Sequence, residues 1–254
     1  MLITFDIGNT AINIGLFEHE ILKNMWVLYT NYLKTEDEYG IELHNMLSFE
    51  HIEHSEISKA VICSVVPSLT PVFEKLVSKY FHIYPHVLNP QNDYGIKINY
   101  DNALELGADR IANAVAVFHK YKTDSIVVDF GTAMTFDIIL KEGIYEGGVI
   151  APGIGISAEA LFRKASKLPR IEITAPPTVI GKNTIRSMQS GLIYGWASMV
   201  DGLIRLIRAE LKIIPRIIST GGWGEVITPK TKEIDEYDKY LTLEGLRIIS
   251  SKFH

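Results

Sequence analysis

The stretch "ITFDIGNTAINIGLFEHE", Ile3 to Glu20, decides the fold. A β-rich apolar run breaks for Asp6, Gly8, Asn9 and Thr10, then resumes. A core strand has no use for that polar group beside a glycine. A tight hairpin explains part of it, because Gly8 and Asn9 tolerate positive φ. A second stretch explains more. "IVVDFGTAMTFDIILKEG" begins at Ile126 and sets Asp129 on Asp6 and Gly131 on Gly8, 123 residues apart in a chain of 254. Each copy continues to a third apolar run, Ile21–Tyr29 and Ile144–Ala151. Self-similarity near half the chain length is the mark of a duplication.

The elements that follow agree with this. After the first three strands, "TEDEYGIELHNML" reads as a helix with a Thr35/Glu38 capping box and an apolar stripe of Ile41, Met46 and Leu47. A short strand "AVICSVV" and a helix with Pro71 in its first turn come next. In the second half, three strands precede a helix over Ile156–Lys167, a long helical region over Thr184–Leu211, the strand "RIIST" and two shorter helical stretches. Strands followed by alternating helix and strand predict a mixed α/β sheet in each half. The polar stretch "YKTDS", 121–125, marks the boundary, giving halves of 1–121 and 122–254.

Composition bounds the function. Hydrophobic residues make up 47% and charged residues 22%, as in a packed globular chain. A net charge of −5 argues against a general nucleic-acid binder or a polybasic membrane-surface protein. Cys63 is the only cysteine, which excludes an intrachain disulfide and fits a reducing cytoplasm. The first residues do not read as a signal peptide, and no apolar run reaches the ~18 residues of a membrane helix.

Two facing halves place the Asp6 turn opposite the Asp129 turn. The expected cleft is lined by carboxylates, hydroxyls and glycine backbone, so phosphate oxygens can approach main-chain N–H groups at Gly8 and Gly131. Asn9, Thr10 and Thr132 add neutral donors. Asp6 suits Mg²⁺, directly or through water, and symmetry makes Asp129 a second such carboxylate. Further on, Gly107 precedes a helix with Asp109 and Arg110 in its first turn and a stripe of Ile111, Val115 and Phe118. One reading has Asp109 serving the helix dipole and Arg110 solvated. The other pairs Arg110 with a substrate carboxylate and gives Asp109 a hydroxyl proton to accept.

Other motifs are weaker. Gly153-x-Gly155-x-x-Ala158 fits a dinucleotide fingerprint by spacing, but Pro152 interrupts it and no βαβ unit precedes it. "IGKNT" at 180–184 is no P-loop, because Pro176 stands where its first glycine belongs. "TGGWGE" at 220–225 reads equally as a close pass to an adenine or ribose and as a tight strand-to-helix turn. Gly191, Gly195, Ala197 and Gly202 dot the long helical region as core or subunit packing. His44, His51 and His54 do not space as a zinc pattern and read as a solvated surface.

Taken in order, "DIGNT", "SVVP", "GADR", "DFGTAMTFD", "GGVIAPG", "KLP", "GKNT", "SG" and "TGG" resemble the type III pantothenate kinases of bacterial coenzyme A synthesis. These belong to the superfamily of acetate and sugar kinases, heat-shock ATPases and actin. The likeness implies two duplicated actin-like, ribonuclease H-like halves with a nucleotide cleft between them. It implies phosphorylation of the primary hydroxyl of pantothenate to 4'-phosphopantothenate, the first step of coenzyme A synthesis. By the same likeness Asp6, Ile7, Gly8, Asn9, Thr10, Ala11, Ile12 and Asn13 form the ATP-phosphate loop, and Thr132 also touches ATP. Gly107, Ala108, Asp109 and Arg110 bind pantothenate, with Asp109 as proton acceptor, and Tyr100 and Thr184 contact the substrate. Asp129 is assigned to a monovalent cation, K⁺ or NH4⁺, in place of the second Mg²⁺ that symmetry suggests. A cytoplasmic homodimer with no nucleic-acid or membrane partner is implied.

Overall fold

Alternation builds the first sheet. Along β1 (Leu2–Ile7), Ile3, Phe5 and Ile7 point to one face and Thr4 and Asp6 to the other; along β2 (Ala11–Glu18), Ile12, Ile14 and Leu16 join the first set. The computed structural model describes residues 1–253. β3 (Ile21–Tyr29) pairs antiparallel with β2, and β4 (Lys59–Ser64) pairs parallel with β1. β5 (His86–Val87) lies parallel beyond β4, so the order is β3-β2-β1-β4-β5.

Two helices cover the apolar face. α1 (Glu36–Phe49) starts at the expected capping box, with Thr35 and Glu38 satisfying each other's backbone N–H. Its buried side is Tyr39, Leu43 and Leu47, while Ile41, expected in the stripe, is 60% exposed. The helix meets the sheet through an aromatic and two leucines one turn apart, and Ile41 falls outside that arc. α2 (Thr70–Phe81) brings Phe73, Leu76 and Val77 onto the same face, with Phe73 edge-on to Phe5 at 5.2 Å.

A short strand, β6 (Lys97–Ile98), precedes α3 (Ala108–Tyr121). From Arg110 to Val117 every residue of α3 is buried. That is wider than the expected stripe, and it includes Arg110, 6% exposed, so the solvated reading of that arginine is wrong.

The second unit repeats the first. β7 (Ser125–Phe130), β8 (Ala133–Leu140) and β9 (Ile144–Pro152) match β1–β3 in length, and the first two match residue by residue in burial, save only the ends of β2 and β8. β10 (Arg216–Thr220) is parallel to β7, and β11 (Glu236–Tyr237) is parallel to β10. The irregularity between Leu16 and Phe17 recurs between Ile138 and Ile139. A shared bulge at one ladder position is hard to obtain twice by chance. The first hairpin pairs Asp6 with Asn13 and the second pairs Asp129 with Thr135. The second turn is therefore one residue shorter.

α4 (Ile154–Lys164) begins two residues before the expected Ile156 and ends three before Lys167. α5 runs Thr184–Leu211 as expected, and Leu192, Ile193, Trp196, Val200 and Ile204 pack on the sheet. α6 (Gly224–Ile227) is a single turn. The chain separates into Met1–Lys120 with everything from Leu241 onward, and Tyr121–Tyr240. The last helix, α7 (Leu241–Ser250), thus belongs to the first unit and not to the second half, where the sequence division put it. It packs on β1, β2 and β4 with Leu241, Leu243, Leu246 and Ile249 buried. A Cβ at Gly245 would collide with Ala112 O, so glycine there lets α7 lie against α3. Among the described residues no helix is long and apolar enough to cross a membrane.

Candidate active site

Strand parity puts the first acid where chemistry can use it. Asp6 follows Ile3-Thr4-Phe5 and takes the face opposite the α1/α2 core. Its ladder partners on that face are Asn13 on β2 and Cys63 on β4. Asn13 Nδ2 donates to Asp6 Oδ2 at 2.9 Å. The loss of water around Asp6 raises its carboxyl to about 7, with Asn13 pulling down and the charge of Asp109 pushing up. Burial drives the Cys63 thiol well up, helped by Asp6 and Asp109. Asp6, Cys63 and Asp109 therefore share one electrostatic neighbourhood within the first unit.

The loop after β1 is held from outside. Gly8 N donates to Ala11 O at 3.0 Å, Thr30 Oγ1 to Gly8 O at 2.7 Å, and Tyr32 Oη to Asn9 O at 3.1 Å. Neither Gly8 nor Asn9 has positive φ, contrary to the hairpin expectation. Glycine matters at position 8 for room, since a Cβ would stand 3.0 Å from Ala11 O. Asn9 and Thr10 are exposed at the tip, and Ala11 is half-buried. Ile7 and Ile12 are fully buried, and their side chains serve the core. Thr30 and Tyr32, which brace the loop, carry no motif that sequence reading could use.

Asp109 sits at the N-terminal turn of α3 and accepts from the Arg110 N–H at 2.8 Å. A Cβ on Gly107 would lie 2.5 Å from Asp109 Oδ1, so the glycine is what lets that carboxylate fold back. Burial raises the Asp109 carboxyl, against the Arg110 backbone bond and the guanidinium charge. Ala108 is buried, and Tyr100 is half-buried in the segment between β6 and α3.

The other expected residues lie in the second unit. Asp129 is the penultimate residue of β7, half-buried, with Gly131 and Thr132 in the turn that follows. Gly221, at φ +86°, presses on this turn: a Cβ there would collide with Asp129 Oδ1 and lie 2.6 Å from Phe130 C. Trp223 N donates to Phe130 O at 3.2 Å. "TGG" is thus a tight turn built around Asp129. Gly153 does similar work, since its Cβ would lie 2.5 Å from Gly131 O; it caps α4 and starts no dinucleotide fold. Thr184 opens α5, exposed, and lines a groove of about 630 Å³ with Leu161, Leu168, Ser187 and Met188.

The sequence pattern of type III pantothenate kinases matches residues 2–206. This chain is a member of that family. Type III pantothenate kinases of Geobacter sp. (strain M21) and Geotalea daltonii are 49% and 50% identical to it, over 99% and 98% of this chain and 99% and 97% of theirs. Component A of (R)-2-hydroxyglutaryl-CoA dehydratase from Acidaminococcus fermentans has a similar fold, with a TM-score of 0.57 at 11% identity over 98% of this chain and 95% of its own. The shared architecture is two copies of a mixed sheet flanked by helices.

Proposed function

We propose that the chain transfers the γ-phosphoryl group of ATP to the primary hydroxyl of pantothenate, giving 4'-phosphopantothenate. Family membership along nearly the whole chain supports the reaction. The observation that carries the mechanism is the buried carboxylate of Asp109, folded back over Gly107 at the start of α3 and within electrostatic reach of Asp6. Phosphoryl transfer needs alignment, charge neutralisation and exclusion of water more than covalent help. A buried carboxylate whose proton affinity is raised suits proton acceptance from an alcohol near neutral pH. The Arg110 backbone bond and guanidinium charge oppose that rise.

The loop from Gly8 to Asn13 offers main-chain N–H groups and the Asn9 and Thr10 side chains to ATP phosphates, with Thr132 a further contact. Gly107 to Arg110, Tyr100 and Thr184 are assigned to pantothenate. Asp6 fits Mg²⁺: it is an oxygen donor whose carboxyl is raised by burial first and then by the charge of Asp109, and a bound cation would favour its ionised form. When bound, the ion neutralises the phosphate charge. Asp129 is assigned to K⁺ or NH4⁺.

A homodimer belongs to the same reading. Ala197 is buried in the core, but a Cβ on Gly191, Gly195 or Gly202 would meet nothing within 4 Å. Three small residues with open space in front suit helix approach by a second copy. A cytoplasmic location suits the ATP-dependent reaction and a single, buried, free Cys63. The test is ADP release from MgATP with and without pantothenate. Release that depends on pantothenate and yields a phosphomonoester supports the reading; release indifferent to pantothenate contradicts it.

A further inference from the structure

Away from the kinase residues, α1 and the turn after it bring two histidines together. His44 is exposed on α1, and His54 opens the short turn His54–Glu56, half-buried. His44 Nδ1 lies 3.0 Å from His54 Nε2, with the rings 74° apart. His54 Nδ1 lies 3.2 Å from the Tyr80 carbonyl near the end of α2, and its ring packs on Phe81 at 4.9 Å between centroids. A carbonyl only accepts, so neutral His54 carries its proton on Nδ1 and presents a lone pair on Nε2.

We propose that His44 Nδ1 and His54 Nε2 together hold one first-row divalent ion of the nickel, copper and zinc group, with water completing its shell. Two imidazole nitrogens each about 2.1 Å from one ion stand about 3.0 Å apart at a right angle and about 3.4 Å apart at a tetrahedral angle. The observed 3.0 Å, the length of the hydrogen bond between them, equals the right-angle bite, and a small rotation of the exposed His44 ring that opens it by about 0.4 Å reaches the tetrahedral one. The bond from His54 to the Tyr80 carbonyl is the outer contact that fixes tautomer and ring orientation in metal-binding histidines. To ligate, His44 moves its proton from Nδ1 to Nε2 through solvent, which its exposure permits. Imidazole donors select these ions over Mg²⁺, which prefers oxygen. No third His, Cys, Asp or Glu converges on them among the described residues, so the site is bidentate and weaker than a structural zinc centre.

The probe is Zn²⁺ titrated into chelator-stripped protein, with a chromophoric chelator as competitor and millimolar Mg²⁺ present. The expected result is one equivalent bound, with affinity reduced tenfold or more in His44→Ala and His54→Ala and unchanged in His51→Ala. Cu²⁺ in place of Zn²⁺ should show two imidazole nitrogens by electron paramagnetic resonance, and one in His44→Ala. His54→Ala also removes the contacts to Tyr80 and Phe81, so if it misfolds the exposed His44→Ala decides. Absence of Zn²⁺ uptake by the unaltered protein, or equal uptake by His44→Ala, overturns the site.

Discussion

Asn13 Nδ2 donates to the Asp6 carboxylate at 2.9 Å across the β1–β2 ladder. The same ladder position in the second unit is Thr135, opposite Asp129, and Thr135 Oγ1 bonds to Asp137 Oδ2 at 3.1 Å. The duplicated hairpins have thus diverged at the residue beside the acid. In the first unit, the amide holds a carboxylate that burial would otherwise neutralise; in the second, the hydroxyl turns to another acid.

That arrangement has a pH signature. The Asp6 carboxyl is raised to about 7 in the fold, by burial first. It titrates near 3.9 when unfolded, to within roughly a unit. Between those values the native state keeps a proton that the unfolded chain has lost, so stability falls as pH rises from about 4 to about 7. The loss for this group is of order 2–4 kcal/mol. Urea unfolding without Mg²⁺ at pH 5 and pH 7.5 should show a larger fall in the unaltered protein than in Asp6→Asn, where only Asp109, also raised by burial, still contributes. Parallel pH dependence in the two proteins contradicts the assignment.

Gly221 and Gly222 make a matched pair. Alanine at 221 must take φ +86° and press on Asp129 and Phe130, whereas at 222 an added Cβ meets nothing within 4 Å. Strain and overpacking together predict a loss of roughly 2–5 kcal/mol for Gly221→Ala. Gly222→Ala should cost under about 1 kcal/mol. Denaturant midpoints measure both, and equal effects would show that the turn around Asp129 is not tight.

The assignment of Asp129 to K⁺ or NH4⁺ predicts that turnover depends on that ion at constant ionic strength. Replacing KCl with NaCl, or Asp129 with Ala, should lower kcat strongly. Equal rates in KCl and NaCl would remove the monovalent cation from the mechanism.

Local pattern carried most of the fold. The acid and glycine in register at Asp6 and Asp129 revealed the duplication, and the Thr35/Glu38 pair gave the start of α1. What escaped sequence reading depends on distant partners. The pattern of Leu241, Leu243, Leu246 and Ile249 shows that α7 has an apolar side, but not that β1, β2 and β4 receive it. Arg110 was readable as a charge, while its burial comes from the packing around α3. The brace of Thr30 and Tyr32 on the phosphate loop arises across 22 and 23 residues and leaves no local sign.

The account rests most heavily on Asp109. Asn at that position keeps the shape and an accepting oxygen but takes no proton at neutral pH, and the loop from Asp6 to Asn13 is untouched. Turnover of Asp109→Asn, measured beside its ATP binding and its melting curve, is the most direct test. The account predicts a fall in kcat of roughly 10²–10⁴-fold with ATP binding retained. Near-normal turnover with only the ~0.3–1 kcal/mol stability loss of a weakened helix terminus would contradict it.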